Sequence, residues 1–433
     1  MDTQKLSPAE FKQATKFDST DFGWIIMSIG MAIGAGIVFL PVQVGLMGMW
    51  FFLLSSIIGY PAMSLFQRLF INTLAESPEC KDYPTVISGY LGKNWGIFLG
   101  VLYFIMLVIW MFVYSTAITN DSASYLLTFG ITNTLLSDNP FYGLVLICIL
   151  VALSSRGEKL LFKISTFMVL TKLFVVAALG LAMIGMWQLH NIGAMPPFGK
   201  LIKDAIITLP FTFTLTSILF LQTLSPMVIS YRAKEQSREV ARYKALRAMN
   251  IAFAILFITV FFYAVSFTLA MGREEALKAY EQNVSALAIA AQFFPGSWAT
   301  YVGVALNIFA VMTAFFGVYL GFREATQGIV MNLLLRKFPA EKINPNYVQK
   351  GIMLFSILLA WSAIVLNAPV LSFTSICSPI FGLVGCLIPA YLVYKVPALF
   401  KYKGLALNII IITGILLCIS PFLTFFRVIR FYL

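Results

Sequence analysis

Lys172 lies in an otherwise uncharged run, TFMVLTKLFVVAALG. At about 1.5 Å rise per residue it falls roughly 15 Å from the start of that run, midway through a bilayer. An ammonium there costs at least about 2.5–3.5 kcal/mol and marks a functional position by default. Such an amine can carry a proton, because dry surroundings oppose its charge while nearby helix-end carbonyls favour it. The alternative is a structural lysine, snorkelling to the interface or tied to carbonyls. Two carboxylates draw notice beside it. Asp121, in VYSTAITNDSASY, is expected at a wetted membrane edge as a surface or gate residue. Glu324, in YLGFREATQG, is expected to face the cytoplasm next to Arg323.

Two apolar segments carry residues that break helices. The first, GMAIGAGIVFLP, contains Gly30, Ala32, Ile33, Gly34, Ala35, Gly36 and then Pro41. Glycine weakens a helix, and proline removes a donor and clashes with the preceding turn. Close packing through small residues would explain this pattern. So would an unwound stretch whose free amides and carbonyls face a ligand. The second segment, DAIITLPFTFTLTSILFLQTLSPMVIS, holds Pro210, a polar stripe of Thr212, Thr214, Thr216, Ser217, Gln222, Thr223 and Ser225, and at its end the dense cluster Gln222, Thr223, Ser225 and Pro226. Its hydroxyls could bond back to their own helix. The density at 221–226 predicts a second interruption there. Freed half-helix amides suit a carboxylate and freed carbonyls an ammonium, so the two breaks together suit a zwitterion.

Other chemistries have little to work with. His190 is the one histidine, and Cys80, Cys148, Cys377, Cys386 and Cys418 form no CxxC pair, so zinc and histidine-based catalysis are not indicated. GxxxxGK[ST] is absent, which argues against a nucleotide-driven pump. No cofactor is expected beyond a proton gradient.

The elements that must position these groups are membrane spans. Hydrophobic residues make up 60% of the 433 and charged residues 11%, with a mean hydropathy of +0.89. Soluble domains are about 25% charged, so one water-soluble globule, a disordered chain and a disulfide-stapled module are all excluded. Eleven apolar runs read as membrane spans, the fourth of them short: 22–46, 50–71, 96–125, 141–155, 162–187, 203–231, 250–271, 298–322, 350–367, 369–393 and 405–426. The fold class is therefore an all-α integral membrane protein. The net charge of +12 does not indicate a nucleic-acid partner, because 23 of the 30 basic residues fall in one set of alternate loops and 6 in the other. By the positive-inside rule the N-terminus is cytoplasmic and the C-terminus outside. The breaks lie in the first and sixth runs. Paired interruptions five spans apart are the mark of inverted-repeat transporters with a midplane site. This gives a tail of 1–21, a first repeat of 22–187, a second of 203–393 and an added helix of 405–426. The charged loop YRAKEQSREVARYKALRAMN is expected to be a short cytoplasmic helix, and 272–297 an outer amphipathic helix pair.

GMAIGAGIVFLP, VYSTAITN, LQTLSPMVIS, YLGFREATQG and SPIFGLVGCLIP resemble the hydroxy and aromatic amino acid permease family, part of the amino acid–polyamine–organocation superfamily. The resemblance covers nearly the whole chain and is strongest to bacterial inner-membrane serine transporters. It implies a LeuT-like fold of five plus five inverted helices and amino acid–proton symport. It also gives Lys172 the likeness of a proton-site lysine on span five. The chain departs from better-known serine and threonine members at Thr223-Leu224, where they carry an Asn-His pair, and around Thr313, where they carry a lysine.

The expectation is a transporter that imports a small neutral amino acid, L-serine first, then cysteine, threonine or an aromatic one. Coupling is to protons, with sodium as the alternative. Substrate would lie between Ala32, Ile33, Gly34, Ala35 and Gly36 and Phe220, Leu221, Gln222, Thr223 and Ser225. Tyr114, Ser115 and Thr313 would form side walls, with Lys172 bonded to span-one carbonyls and Thr313 as a second partner. A channel or receptor would need neither paired breaks nor a lone buried lysine, and an enzyme would need a catalytic cluster that is not apparent.

Overall fold

The computed structural model describes residues 6–128, 130–203, 219–281, 298–366 and 377–432, and they contain no β-strand. A short helix α1 (Pro8–Ala14) precedes α2 (Ser19–Ala32), and capping boxes at Ser7 and Asp18 start them. The first apolar run then restarts as α3 (Ala35–Met47). Next come α4 (Met49–Ala75), the short α5 (Tyr83–Leu91), α6 (Lys93–Thr128), α7 (Pro140–Ser155) and α8 (Glu158–Ala182). After residues 204–218, which lie outside the described parts, follow α9 (Leu221–Lys234), α10 (Arg238–Glu281) and α11 (Trp298–Leu334). The last are α12 (Pro345–Val365), α13 (Cys377–Lys395) and α14 (Leu405–Tyr432). Among the described residues seven helices are long and apolar enough to cross a membrane, with α7 and the first part of α14 as shorter apolar helices.

These helices are apolar on their outward faces as well as inside. Phe174 and Ile57 are more than 70% exposed, while Trp24, Phe52, Phe66 and Phe220 are wholly buried. A water-soluble bundle would put polar residues on that outer face, whereas lipid requires apolar ones. The broken α2–α3 pair packs against α8, α10 and α11, and α9 lies across α4 and α11.

Two loop expectations are corrected. The basic segment 231–250 is not a separate helix. Residues 231–234 end α9, and 238–250 are the first turns of α10, which runs from Arg238 into the apolar span without interruption. At the far end of α10, Gly272 adopts φ 72°, a left-handed conformation suited to glycine, and kinks the helix before it continues to Glu281. The rest of the expected outer helix pair, 282–297, lies outside the described residues.

In α13, Phe381–Leu387 form a π-helical stretch just before Pro389. Proline has no N–H and crowds the carbonyl four residues back, which favours a widened turn there. A Cβ on Gly382 would come within 2.6 Å of the Gly414 carbonyl, and one on Gly414 within 2.8 Å of Cys386. The two glycines thus let α13 and α14 meet backbone to backbone.

Candidate substrate and ion site

The first break is narrow. α2 ends at Ala32, Ile33 turns out of helical geometry (φ −77°, ψ 66°), and Gly34 (φ −102°, ψ −141°) leads into α3. Glycine is required here by crowding. A Cβ on Gly34 would lie 2.8 Å from the Tyr114 hydroxyl and 3.1 Å from Ala314 Cβ. The first-turn amides of α3, from Ala35 and Gly36 onward, have no partner within their helix.

Carbonyls freed at this break turn to Lys172. The side chain is 0% exposed, and its Nζ donates to Ile33 O at 2.8 Å, Gly30 O at 3.3 Å and Thr313 Oγ1 at 2.5 Å. Thr313 Oγ1 also lies 3.0 Å from Gly30 O and 2.8 Å from Phe309 O. One ammonium therefore joins α8, the end of α2 and α11. Desolvation opposes an ammonium in this position, so three acceptors are what allow a charged form to persist.

The second segment differs from expectation in detail. Residues 221–226 are helical and form the opening turns of α9, while the non-helical residues are Leu219 and Phe220 just before it. No side chain of Phe220 caps the helix. The Phe220 amide instead donates to Gln67 Oε1 of α4 at 3.2 Å, and Thr223 Oγ1 bonds back to Phe220 O at 2.9 Å. Whether a helix precedes this point concerns 204–218, outside the described residues.

Helix α11 fits between the two segments through its glycines. A Cβ on Gly317 would meet Met31 Cβ at 2.7 Å and Thr223 Cγ2 at 3.1 Å, and one on Gly321 would meet Gln222 O at 2.5 Å. The side wall is aromatic. Tyr114 is buried and stacks on Trp110 with ring centroids 5.4 Å apart. Ser115 Oγ, Gln222 Oε1 and Trp110 Nε1 are buried without a hydrogen-bond partner. Buried polar atoms are nearly always satisfied, so several orphans around one break mark room for a polar guest or water. Ser225 turns the other way, toward Tyr103 and Glu324. The structure thus brings Ile33, Gly34, Tyr114, Lys172, Gln222, Thr223 and Thr313 to one region and sets Ser225 below it. Among the described residues no three His, Cys, Asp or Glu side chains could hold a metal ion.

The face that bears the N-terminus is tied shut by charges. Asp21, wholly buried, accepts from Tyr231 Oη and Arg247 at 2.7 Å each and from the Asp18 amide at 2.9 Å. Lys244 bridges Asp18 and Glu235, each at 2.8 Å. Burial works against the charged Asp18, but the Lys244 ammonium and the amides of Asp21 and Thr20 hold its carboxyl below the ordinary value. At the opposite end Asp121 keeps part of its surface exposed. It is half-buried, and Asn307 of α11 donates to it at 3.0 Å and to Tyr125 at 2.9 Å.

No family model matches the chain. Over 423 residues it is 81% identical to a probable serine transporter of Escherichia coli strain K12, an overlap of 97% of this chain and 95% of that protein. The chain belongs to the hydroxy and aromatic amino acid permease family. This permease is also 26% identical to the serine transporter SdaC of the same organism over 96% of its length. It is 24% identical to the threonine/serine transporter TdcC of Edwardsiella piscicida over 92%. It is a multi-pass membrane transporter and not an enzyme.

Sequence reasoning passed over Gln67, Trp110 and Asp21. Gln67 carried a signal, a lone amide inside an apolar run, and so did Asp21, a carboxylate at the mouth of the first span. Trp110 carried none, since an aromatic in a span is ordinary.

Proposed function

We propose that this permease imports a small neutral amino acid, L-serine first, together with protons across a bacterial inner membrane. The single observation that carries the coupling is the Lys172 ammonium held on the Gly30 and Ile33 carbonyls at the break. In that position a proton does what a bound cation would do. When present it draws α8, α2 and α11 together, and when absent it leaves two carbonyls and the Thr313 hydroxyl free to rearrange. Serine suits a site at the Ile33–Gly34 break because its zwitterion matches the free helix end there, and its hydroxyl matches orphaned polar atoms such as Gln222 Oε1. The 81% identity to a probable serine transporter favours the same substrate.

The proposed motor is rocking of two five-helix repeats, 22–187 and 203–393, about the site, with the N-terminus cytoplasmic. The conformation closed by Asp18 and Asp21 is then shut toward the cytoplasm. Uptake by purified protein in vesicles tests the reading, with serine, cysteine, threonine and tryptophan as competitors under imposed pH or sodium gradients. Lys172→Gln should abolish uphill uptake driven by a pH gradient while leaving serine exchange measurable. Full proton-driven accumulation by that variant would remove the lysine from the mechanism, and accumulation driven by sodium alone would replace the coupling ion.

A further inference from the structure

A second group of buried polar side chains lies farther along α11 from Thr313, the partner of Lys172. Glu324 follows Thr313 by eleven residues of α11, about 16 Å toward the N-terminal face. Its Oε1 accepts from the Tyr83 amide at 2.5 Å, the first residue of α5. Asp82, the residue that caps α5, accepts from the Thr85 amide at 2.7 Å. The Asp82 carboxyl also rests on α11. A Cβ on Gly328 would come within 2.6 Å of its Cγ. Gly328 is one turn from Glu324, so the two carboxyl groups meet α11 about 6 Å apart along its axis. Both address the N-terminus of a nine-residue helix.

One negative charge suits that helix end, and a second at this distance is repelled. The one lysine that acts on the pair is Lys81, next to Asp82, and it is exposed to solvent and also lies 3.9 Å from Glu79. The charged group that Glu324 faces is Asp82, a like charge. Its other neighbours are Tyr83 of α5, Tyr103 of α6 and Cys80 just before α5, with Arg323 next to it on α11. Arg232 of α9 is spent on the carbonyls of Ala75, Ser77 and Pro78. Burial pushes the Asp82 carboxyl above its ordinary value, against the Thr85 bond that lowers it. The second observation is independent of the acids. Tyr103 Oη and Ser225 Oγ, both 0% exposed, are buried beside Glu324 without a hydrogen bond of good geometry.

We propose that Glu324 and Asp82 form a second protonation site between α11 and α5. It holds one proton, on one of the two carboxyls, while the helices are docked and yields it to cytoplasmic water when they part. Docked, the pair carries a single negative charge at the α5 N-terminus. Undocked, each carboxyl is solvated and ionises by itself, and the proton leaves as hydronium. An acidic cytoplasm therefore favours the docked, inward-closed form and an alkaline one favours opening. The direction rests on the orientation proposed above, but the site does not depend on which ion is coupled at Lys172.

Two measurements test it on the full chain. The first is deuterium uptake by residues 83–91, corrected for the intrinsic pH dependence of exchange. It should rise at least about threefold between about pH 6 and about pH 8, within the ceiling of about tenfold per pH unit that one proton sets. In Glu324→Gln, whose amide oxygen can still accept from Tyr83, the change should fall below about twofold. The second is serine exchange in right-side-out membrane vesicles at fixed outer pH, which should accelerate with inner pH in the parent and flatten in the variant. If Glu324→Gln does not fold, Asp82→Asn takes its place, since its carbonyl can still cap Thr85. A parent-like pH dependence of α5 exchange in a folded variant overturns the site. Loss of proton-driven uptake in Lys172→Gln alone leaves it standing. A parent that does not transport serine refutes the proposed function while the deuterium measurement still decides this one.

Discussion

Replacing Asp21 with asparagine isolates the closure of the N-terminal face. Its carboxylate takes three hydrogen bonds, from Tyr231, Arg247 and the Asp18 amide. Asparagine keeps one carbonyl acceptor but removes the charge that Arg247 faces. Breaking a fully buried ion pair from one side costs about 3–5 kcal/mol. Arg247 is 20% exposed and keeps the Thr15 carbonyl and the rings of Phe17 and Tyr243, so about 2 kcal/mol is the expected loss here. These contacts join the start of α2 to α9 and α10, so the loss falls on the closed arrangement. About 2 kcal/mol corresponds to roughly thirtyfold in the open-to-closed ratio. Ser28, wholly buried on α2, is the reporter. In a chain otherwise free of reactive thiols, Ser28→Cys should be alkylated by a polar reagent at least about tenfold faster when Asp21→Asn is added. Unchanged labelling together with a lower thermal midpoint would refute the reasoning, since the carboxylate would then hold the fold and not the gate.

Gly34→Ala should lower transport at least about tenfold, because overpacking of about 1–3 kcal/mol falls on the break itself. Tyr114→Phe in the same chain removes the atom 2.8 Å away and should restore part of the uptake. Wild-type uptake by Gly34→Ala alone would contradict the described crowding. Glu76 provides a pH test outside the spans. Burial opposes its charge, but Lys401, Arg242 and Tyr402 outweigh this and hold the carboxyl below its ordinary 4.5. A depressed carboxyl contributes stability fully above its unfolded value and loses it as pH falls through the folded one. The thermal midpoint in detergent should therefore drop as the buffer goes below about pH 5. Glu76→Gln should start lower and show a shallower drop, and an identical acid limb in both proteins would remove Glu76 as a cause.

Apolar periodicity and charge placement made the spans legible, because lipid demands long uncharged runs and leaves few alternatives. The break at Ile33–Gly34 was legible for the same reason: glycines and a proline inside such a run need an explanation. Lys172 stood out because one charge in a span cannot be incidental. What stayed hidden depends on contacts between distant segments. Nothing local says that Gln67 of α4 meets the Phe220 amide, that Asp82 lies against Gly328, or that Ser225 points away from the break. The expectation of an interruption at 221–226 went to the wrong residues because the polar group at 222–225 drew attention to itself. Those residues begin a helix, where hydroxyls and amides are well tolerated.

The glycine seats on α13 and α14 have a mechanical consequence. With Gly382 against the Gly414 carbonyl, and the Ser378 hydroxyl on the Leu417 carbonyl at 3.2 Å, the two helices are closely seated on each other. The final helix is then an outrigger bolted to its neighbour. A tilt of α13 should carry α14 with it and move Ile412 and Ile415 on its exposed flank, where the surrounding lipid feels it.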